Sequence, residues 1–595
     1  MKKLIQNKWF AIGLIVIATF GVYANSSKNE FVWDDIKIIK DNKSIKDLNN
    51  LKKIFTKDYF KISKELSYRP VATFTYFLLY KIFKLNTWKY HLTNTLFHIS
   101  IALLIYLLFT KLYKNKMKGF IAALIFSCHP INTEAVLEIS FNEELLVAFF
   151  ICISLLSYIK YEEIIYKEFL KKSIYYSISL LSFILSLFSK ETGLVLIPIL
   201  FLYCLFFKNK IKIKELLGFL IVAFVYLYIR FFVFKTTVES VINYPGGSFY
   251  TNILTMLPVS IEYLKLLFLP FNLSIEHLYP IEMSFFSYRV IYSIFIIILI
   301  LGIMVKTADK QINFSIMWIF ICLIPVFNFI PFLKISFLQE RYLYLSSIGF
   351  GFLIGLLLEK FERRSVKIKN MIYVLLIIFI SVSSVTIVNR NSKWKDEMIF
   401  WLEASRNCPK SYRIHHCLGD LYSERNMHTK AIYHYERSMQ LAPDYVFAYA
   451  GLAKTYIKIK LFDEAIAVCQ KALNIFPVYP AIYSLLGAAY TEKRDYKQAY
   501  KMLKKTIEIE PYKYDNYLNL ARFYVTINSI PEAIESYQTS LKFNPDVIPS
   551  WFSLGVLYER EKNYRNAIKC FKKVLAIVPD YPNLQNRISL LEKNL

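Results

Sequence analysis

Long runs of apolar side chains dominate the first 390 residues, and they restrict the fold more than any other feature of the sequence. A helix rises 1.5 Å per residue, so a run of about 20 apolar residues crosses the hydrocarbon core of a bilayer. The composition agrees, because 55% hydrophobic and 20% charged residues are too apolar a mixture for a soluble protein. We therefore predict eleven membrane spans, at 9–24, 91–112, 119–138, 145–160, 173–188, 192–207, 215–234, 288–305, 313–332, 343–358 and 370–388.

Two other apolar stretches are not counted as spans. One follows Pro70 and contains Lys81, and the other, 253–270, is interrupted by Pro258 and Glu262. Proline and charged side chains are unfavourable in the interior of a lipid-facing helix. We expect both stretches to lie on the bilayer or to dip into it.

The positive charge is distributed in a way that predicts the orientation in the membrane. The chain has 73 Lys and Arg against 45 Asp and Glu, a formal charge of +28, and basic clusters at 114–118, 208–214 and 363–369 lie between apolar runs. Short basic loops face the cytoplasm. This places the N-terminus in the cytoplasm and, after an odd number of spans, the last third on a bacterial periplasmic face or in the ER lumen. Charge distributed in this way argues against nucleic-acid binding.

The first run has a second interpretation. Lys2, Lys3 and Lys8 precede the apolar run Trp9–Ala24, and its end resembles a signal-peptide cleavage site. A retained first helix is favoured, because the residues just beyond it carry candidate functional groups.

From residue 412 to 579 the pattern becomes a 34-residue helical repeat, which is the period of tetratricopeptide (TPR) units. Small residues allow the two helices of a unit to touch, tyrosine fills the groove between them, and proline ends the second helix. We predict five units, a preceding half unit at 393–408 and a capping helix at 583–594, within a C-terminal domain at 391–595. The repeating positions are Pro443, Pro477, Pro511, Pro545 and Pro579; Tyr422, Tyr456, Tyr490, Tyr524 and Tyr558; and Ala431, Ala465, Ala499, Ala533 and Ala567.

The register predicts which side chains line the concave groove of the solenoid. Cationic and aromatic side chains there would suit an acidic or extended peptide, whereas scattered surface charge and helix packing would explain them equally well. These residues are Arg413, His416, Phe447, Lys454, Arg522 and Phe552. The eight cysteines lack CxxC or Cys/His ligand spacing, so neither a disulfide framework nor structural zinc is predicted.

Polar motifs are concentrated at the predicted outer ends of the spans. The first outer loop, 25–69, opens with WDD at 33–35 and leads into YRP at 68–70. The later motifs are YHLTN at 90–94, HPINTEAV at 129–136, SKETG at 189–193 and ERYLYL at 340–345. By themselves, the adjacent Asp34 and Asp35 are compatible with a helix cap, solvated charge or a functional site.

These motifs, in this order and followed by TPR units, resemble the transmembrane-and-TPR-containing O-mannosyltransferases and their bacterial relatives, which are GT-C membrane glycosyltransferases. The resemblance covers almost the whole chain. It implies an all-α fold, with a GT-C transmembrane domain at 1–390 before the solenoid. It also implies an inverting transfer of a sugar from a polyprenyl- or dolichyl-phosphate donor to an acceptor on the non-cytoplasmic face.

The resemblance also suggests roles for individual residues. Either Asp34 or Asp35 would be the catalytic base, with Asp34 favoured by analogy to the first acidic residue of the Asp-Glu pair in related enzymes. Lys190 and Arg341, with Arg69 as a third cation, would bind the donor phosphate. Substituting Lys190 or Arg341 by alanine is then expected to weaken donor use and leave the protein folded. The simpler alternatives are that Lys190 reaches to the membrane interface and that Arg341 pairs with its neighbour Glu340.

Four further residues are assigned to the acceptor or to a second site: His129, Glu134, Glu191 and Glu340. His129 could equally be a histidine bonded to the backbone at a proline turn. Carboxylates from different loops, such as Asp35 and Glu134, would suit a divalent cation such as Mg²⁺ or Mn²⁺, and the sequence leaves metal dependence open.

One departure concerns the sugar. Family members commonly carry an arginine before the acidic residue that follows HPxxTEAV, whereas this chain has Phe141-Asn142-Glu143-Glu144. Transfer of a hexose such as mannose to protein Ser or Thr hydroxyls, with the TPR groove recruiting the acceptor or a partner, remains the favoured hypothesis. The alternatives are a non-catalytic membrane-anchored TPR scaffold and a glycosyltransferase acting on a cell-envelope glycan or lipid.

Overall fold

The structure is a computed structural model that describes residues 6–65, 67–164, 168–208, 213–234, 244–327, 329, 337–362, 365–578 and 580–595. The chain divides into two compact units, residues 1–409 and 410–595. Both units are helical, and the β-structure in these ranges is one isolated bridge between His277 and Leu338. Helix Glu397–Asn407, predicted as a half unit before the repeats, lies in the first unit.

The long helices of the first unit coincide with the predicted spans, so an all-α membrane domain is confirmed. Ten helices in the described ranges are long and apolar enough to cross a bilayer, and a bent pair would make eleven. The ten helices are Lys8–Lys28, Thr87–Tyr113, Ile139–Glu163, Phe169–Ser189, Glu191–Lys208, Ile213–Val233, Tyr288–Thr307, Lys310–Phe327, Glu340–Glu362 and Lys367–Ser392.

The bent pair consists of Lys116–Ser127 and Pro130–Leu137, which meet at 50°. Proline lacks the N–H that would continue the helical ladder, so the chain turns at His129 and Pro130. The two stretches not counted as spans form helices Pro70–Phe83 and Phe249–Phe268. Pro70–Phe83 is too short to span a bilayer, and Phe249–Phe268 is not one of the ten helices that are long and apolar enough to do so.

Burial separates central helices from lipid-facing ones. In helices Ile139–Glu163 and Glu340–Glu362, 78% of the most apolar 18 residues are buried. In Tyr288–Thr307 and Lys367–Ser392 the share is 11%. Apolar side chains on the outer helices can face lipid without penalty, so these helices need little protein contact. The two central helices begin at the same place in the structure, and their first residues carry the candidate functional groups.

The first outer loop is folded onto the membrane domain. It contains the short helices Lys43–Lys46 and Tyr59–Ser63, and it packs Ile39, Ile45 and Tyr59 into a buried cluster with Tyr76. This packing fixes the position of the aspartates at its start.

The second unit is the predicted TPR solenoid. Its five helix pairs are Tyr412–Glu424 and His428–Leu441, Val446–Lys458 and Phe462–Ile475, Pro480–Glu492 and Tyr496–Ile509, Tyr514–Thr526 and Ile530–Phe543, and Ile548–Arg560 and Tyr564–Ile577. Helix Leu584–Glu592 covers the end. In three units a glycine allows the two helices to touch, since a Cβ on Gly419, Gly487 or Gly555 would lie 2.6 Å from a side chain of the second helix. Pro579 lies outside the described residues.

Candidate active site

Asp35 anchors the first outer loop to a central helix. Its carboxylate is fully buried and accepts hydrogen bonds from the Ser140 N–H at 2.6 Å and the Ile139 N–H at 3.4 Å, while its own N–H donates to Glu138 at 3.3 Å. Burial raises the pKa of Asp35 to about 7, and the amide donors oppose that rise. The carboxylate therefore caps the start of the helix that continues to Glu163.

Asp34 is placed differently. No hydrogen bond or ion pair engages its carboxylate within the part of the chain that the structure describes, and it is only half-buried. Burial raises the pKa of Asp34, the positive charge of Arg341 opposes that rise, and Glu143 adds to it. Trp33, just before it, has a φ of 51°. Asp34 and Asp35 follow this turn in helical backbone, where adjacent side chains do not share a face, so the two carboxylates point to different surroundings.

Arg341 lies beside Asp34 and is held by Glu134. The backbone N–H of Arg341 donates to Glu134 Oε2 at 3.0 Å and its Nη1 donates to Oε1 at 2.5 Å, and the Glu134 side chain is fully buried. The guanidinium lies 4.0 Å from the Phe141 ring centroid and 5.8 Å from that of Trp33. Arg341 thus has a fixed position against an aromatic wall.

Lys190 and Arg69 share a carboxylate. Lys190 donates to Glu144 and lies 3.5 Å from Glu143 Oε1, and Arg69 Nη1 donates to the same Glu143 oxygen at 2.8 Å. Arg69 Nη2 also donates to Glu191 at 3.2 Å. The Lys190 side chain is 5% exposed, so it does not extend to a membrane interface. The glutamate pair that departs from the family pattern is therefore the partner of both cations.

Arg230 was missed by the sequence analysis. It is buried, and its Nη1 donates to Glu191 at 3.1 Å and to the Tyr226 hydroxyl at 3.0 Å. A charged residue inside an apolar run is unfavourable unless it is paired, and position 230 lies inside the predicted span 215–234. That signal could have identified it.

Glu340 pairs away from its neighbour. It lies 2.5 Å from Arg390 Nη1, accepts the Ser274 N–H at 2.5 Å, and lies 3.2 Å from His277 Nε2. Since Arg341 pairs with Glu134, the alternative in which Glu340 and Arg341 form a simple neighbouring pair is wrong. Arg390 and His277 were also missed, because no spacing in the sequence connects them to position 340.

His129 is bonded to the backbone on both ring nitrogens. Its Nδ1 accepts the Ile131 N–H at 3.2 Å, and its Nε2 lies 2.9 Å from the Leu267 carbonyl oxygen, to which it donates. The ring is fully buried. His129 therefore holds the bend between the two segments of the bent helix pair.

The residues suggested for a metal ion are engaged elsewhere. Asp35 accepts backbone amides and Glu134 pairs with Arg341, and no group of three or more His, Cys, Asp or Glu side chains in the described ranges could hold a metal ion. These two carboxylates do not fit a divalent cation.

The pairing of the cations bears on the expected effect of alanine substitutions at Lys190 and Arg341. Arg341 and Lys190 neutralise buried carboxylates, Glu134 and Glu144 respectively. Removing one partner of a buried pair leaves an uncompensated charge and destabilises a protein by about 3–5 kcal/mol. Alanine at either position is therefore expected to lower the stability of the protein as well as to weaken donor use.

Models of known protein families match residues in both units of the structure. A model described as dolichyl-phosphate-mannose-protein mannosyltransferase matches residues 68–234, a range that begins at the YRP motif and ends just after Arg230. Tetratricopeptide repeat models match residues 423–489, 490–554 and 548–581.

Curated relatives agree as well. The chain is 28% identical over 469 residues to protein O-mannosyl-transferase F38B6.6 of Caenorhabditis elegans, covering 74% of this chain and 63% of that protein. It is 26% identical over 504 residues to mouse protein O-mannosyl-transferase TMTC3, covering 77% of this chain and 54% of that protein. The chain thus spans about half to two thirds of the length of these relatives. The chain is therefore similar to the transmembrane-and-TPR-containing protein O-mannosyl-transferases, with the mannosyltransferase model matching part of its membrane unit and the repeat models its second unit.

Proposed function

We propose that this protein transfers a mannosyl residue from a polyprenyl- or dolichyl-phosphate carrier to Ser or Thr hydroxyls of a protein. The observation that carries the proposal is the carboxylate of Asp34, which no hydrogen bond or ion pair engages among the described residues and which lies beside the cation of Arg341. An unengaged carboxylate beside fixed cations is the arrangement that base-assisted transfer from a phosphate leaving group requires. The two relatives, both protein O-mannosyl-transferases, support the same reaction.

In the reaction, Asp34 accepts the proton of the acceptor hydroxyl. The hydroxyl oxygen forms a bond to C1 of the sugar from the side opposite the phosphate, and the bond from C1 to the phosphate oxygen breaks. The phosphate leaves with the bonding electron pair, so it needs positive charge and no proton donor. Attack from the opposite side inverts the configuration at C1.

The donor phosphate would be bound where Glu143 now lies. Glu143 Oε1 contacts both Arg69 and Lys190, and a phosphate oxygen is a similar acceptor for the same two donors. Because both cations are already paired, the phosphate would have to displace this carboxylate. Arg341, on the Asp34 side, would then stabilise the departing charge.

We place the reaction on the non-cytoplasmic face. The C-terminal end of the first span contacts that of the last, since Asn29 Nδ2 donates to the Asn391 carbonyl at 3.0 Å and Asn391 Nδ2 to the Val22 carbonyl at 2.8 Å. The first outer loop begins there. The basic cluster at 114–118 joins helices Thr87–Tyr113 and Lys116–Ser127 at the opposite ends of these helices. In the other two basic clusters, residues 209–212 and 363–364 lie outside the described residues.

Labelling of single cysteines tests this topology. A cysteine at the exposed position Tyr512 in a background without other reactive thiols should react with an impermeant reagent from the outer side of intact cells, or from the lumenal side of sealed vesicles. A cysteine at Lys116, in the cytoplasmic cluster, is the control of opposite sidedness. Labelling of position 512 only after permeabilisation would reverse the assignment.

The TPR unit would recruit the acceptor or a partner. A cavity of about 450 Å³ lies in the second unit, and His416, Phe447 and Lys454 of the predicted groove line it. Asp420 and Glu510 also line it, so its charge is mixed and less cationic than predicted. Mixed charge and aromatic surface suit an extended polypeptide.

The function is tested by supplying donors and acceptors to the purified full-length chain. We expect label to pass from polyprenyl-phosphate mannose to Ser/Thr-containing peptides, in alkali-labile O-linkage. Transfer only to a lipid or glycan acceptor would favour the cell-envelope enzyme. Failure with every donor, together with retained peptide binding, would favour the scaffold.

A further inference from the structure

A cavity of about 350 Å³ in the first unit lies outside the ion-pair cluster of the candidate site. It is lined by the loop 270–275, by the C-terminal end of helix Val366–Ser392, and by one face of helix Glu397–Asn407. Its volume falls within the range of about 300–1,000 Å³ that is typical of ligand pockets. Its wall includes the C-terminal end of helix Val366–Ser392, and this end lies beside the first outer loop, because Asn29 Nδ2 donates to the Asn391 carbonyl at 3.0 Å.

The rim of this cavity carries three exposed amide side chains, those of Asn272, Asn389 and Asn407; Asn407 Nδ2 already donates to the Leu273 carbonyl at 3.4 Å, which leaves its oxygen to accept. An amide side chain both donates and accepts hydrogen bonds, which matches the alternating N–H and C=O groups of a polypeptide backbone. The wall between them is aromatic: the rings of Trp394 and Phe400 pack edge to face, with centroids 4.6 Å apart. We call this cavity the amide pocket.

The charges of the amide pocket are already neutralised. Arg390 pairs with Glu340, and Lys393 pairs with Glu403. The proposed mechanism already places the donor phosphate at Arg69 and Lys190, and an isoprenoid chain requires a continuous apolar wall within the bilayer. Amides on an exposed rim, with paired charges and aromatic rings, favour a polypeptide over a lipid phosphate.

Two connections join the amide pocket to the candidate base. Phe400, in its wall, packs on Trp33 with ring centroids 5.8 Å apart, and Trp33 directly precedes Asp34. Arg390, also in its wall, pairs with Glu340, which directly precedes Arg341. A chain that occupied the amide pocket would therefore lie against residues that position both Asp34 and Arg341.

We infer that the amide pocket binds the acceptor polypeptide beside its accepting Ser or Thr residue. This inference rests on the proposed function, since it presumes a protein acceptor. It assigns acceptor recognition to the membrane unit itself, through backbone contacts that do not depend on a particular side chain. Asn389 and Asn407 are assigned as the binding residues.

The kinetic test uses the double substitution Asn389→Ala/Asn407→Ala in the full-length chain. Loss of one or two neutral hydrogen bonds should raise the KM for a Ser/Thr-rich peptide roughly two- to ten-fold. The KM for polyprenyl-phosphate mannose and kcat should not change. Ser405→Ala, on the same helix but outside the lining of the cavity, is the matched control and should leave all three constants unchanged. An unchanged peptide KM in the double variant would overturn the assignment.

A second measurement does not depend on transfer. Benzoylphenylalanine at position 407 should crosslink a biotinylated Ser/Thr-rich peptide in the absence of donor, and excess unlabelled peptide should prevent it; position 405 should not crosslink. Crosslinking without transfer activity would support the amide pocket while refuting the proposed function. Transfer activity with no crosslink at position 407 would refute the amide pocket alone. Capture of a photoactivatable polyprenyl phosphate in place of the peptide would also refute it, since the cavity would then belong to the donor.

Discussion

Substituting Arg341 by methionine keeps much of the side-chain volume and removes the charge. In the structure this charge contacts the fully buried carboxylate of Glu134 at 2.5 Å and also acts on the carboxylate of Asp34, which makes no hydrogen bond or ion pair among the described residues. A loss of transfer activity in Arg341→Met would therefore have two explanations, a missing phosphate contact or an altered fold. A second substitution separates them.

The stability effect follows from the burial of Glu134. Loss of the partner of a buried charge destabilises a protein by about 3–5 kcal/mol, and loss of the contact with the Phe141 ring at 4.0 Å adds about 0.5–2 kcal/mol. Glu134→Gln in the same chain removes the uncompensated charge, and its side-chain carbonyl still accepts the backbone N–H of position 341. The double variant should therefore recover most of the loss of charge pairing.

The assay combines thermal unfolding, followed by tryptophan fluorescence in detergent, with transfer rates over a range of donor concentration. We expect Arg341→Met to lower the unfolding midpoint and the double variant to restore most of it. Both variants should transfer at least ten-fold more slowly at low donor concentration, because one charge-assisted contact contributes about 1.5–3 kcal/mol. Near-normal transfer by the stable double variant would refute a role for Arg341 in the reaction and leave it only as the partner of Glu134.

Three further predictions follow from the same geometry. Burial raises the pKa of Asp34, so kcat/KM should fall on acidification at a pH above the usual range for aspartate. Arg341 opposes that rise, so the acid limb of the pH profile should move to higher pH in Arg341→Met, and a limb that stays in place would exclude Asp34 as the titrating base. Asp35→Asn should destabilise the protein by about 0.5–2 kcal/mol, because the asparagine carbonyl is a weaker acceptor for the backbone N–H groups that Asp35 caps. The measurement is the unfolding midpoint, and an unchanged midpoint would contradict the capping role. Gly487→Ala should destabilise the TPR unit by about 1–3 kcal/mol, seen as faster proteolysis of the solenoid, because the added Cβ would lie 2.6 Å from Leu503.

The architecture could be predicted from the sequence because hydrophobic length and a fixed repeat are properties of the chain itself. Apolar runs gave the spans within a few residues, and the 34-residue spacing of Pro443, Pro477 and their equivalents gave the helix pairs. Both signals depend on neighbours along the chain, since helical periodicity is local. The bend at Pro130 was not predicted, since 119–138 was treated as one continuous span.

The partners of the candidate residues could not be predicted, because they come from distant parts of the chain. Arg341 pairs with Glu134, 207 positions earlier, and Arg69 pairs with Glu191, 122 positions later. No local pattern indicates which carboxylate a cation will meet once the helices pack. The difference between Asp34 and Asp35 has the same origin, since the amides that occupy Asp35 belong to residues more than 100 positions away.

The central claim is that Asp34 accepts the proton of the acceptor hydroxyl, and the most direct test is the transfer rate of Asp34→Asn. Asparagine keeps the shape of the side chain, and no hydrogen bond of the carboxylate is lost within the described residues, so donor binding and the unfolding midpoint should match those of the wild type. General-base catalysis contributes about 10²–10⁴-fold, so turnover of label from polyprenyl-phosphate mannose to peptide should fall by at least 100-fold. Transfer within a few-fold of the wild-type rate, at equal donor binding, would contradict the mechanism.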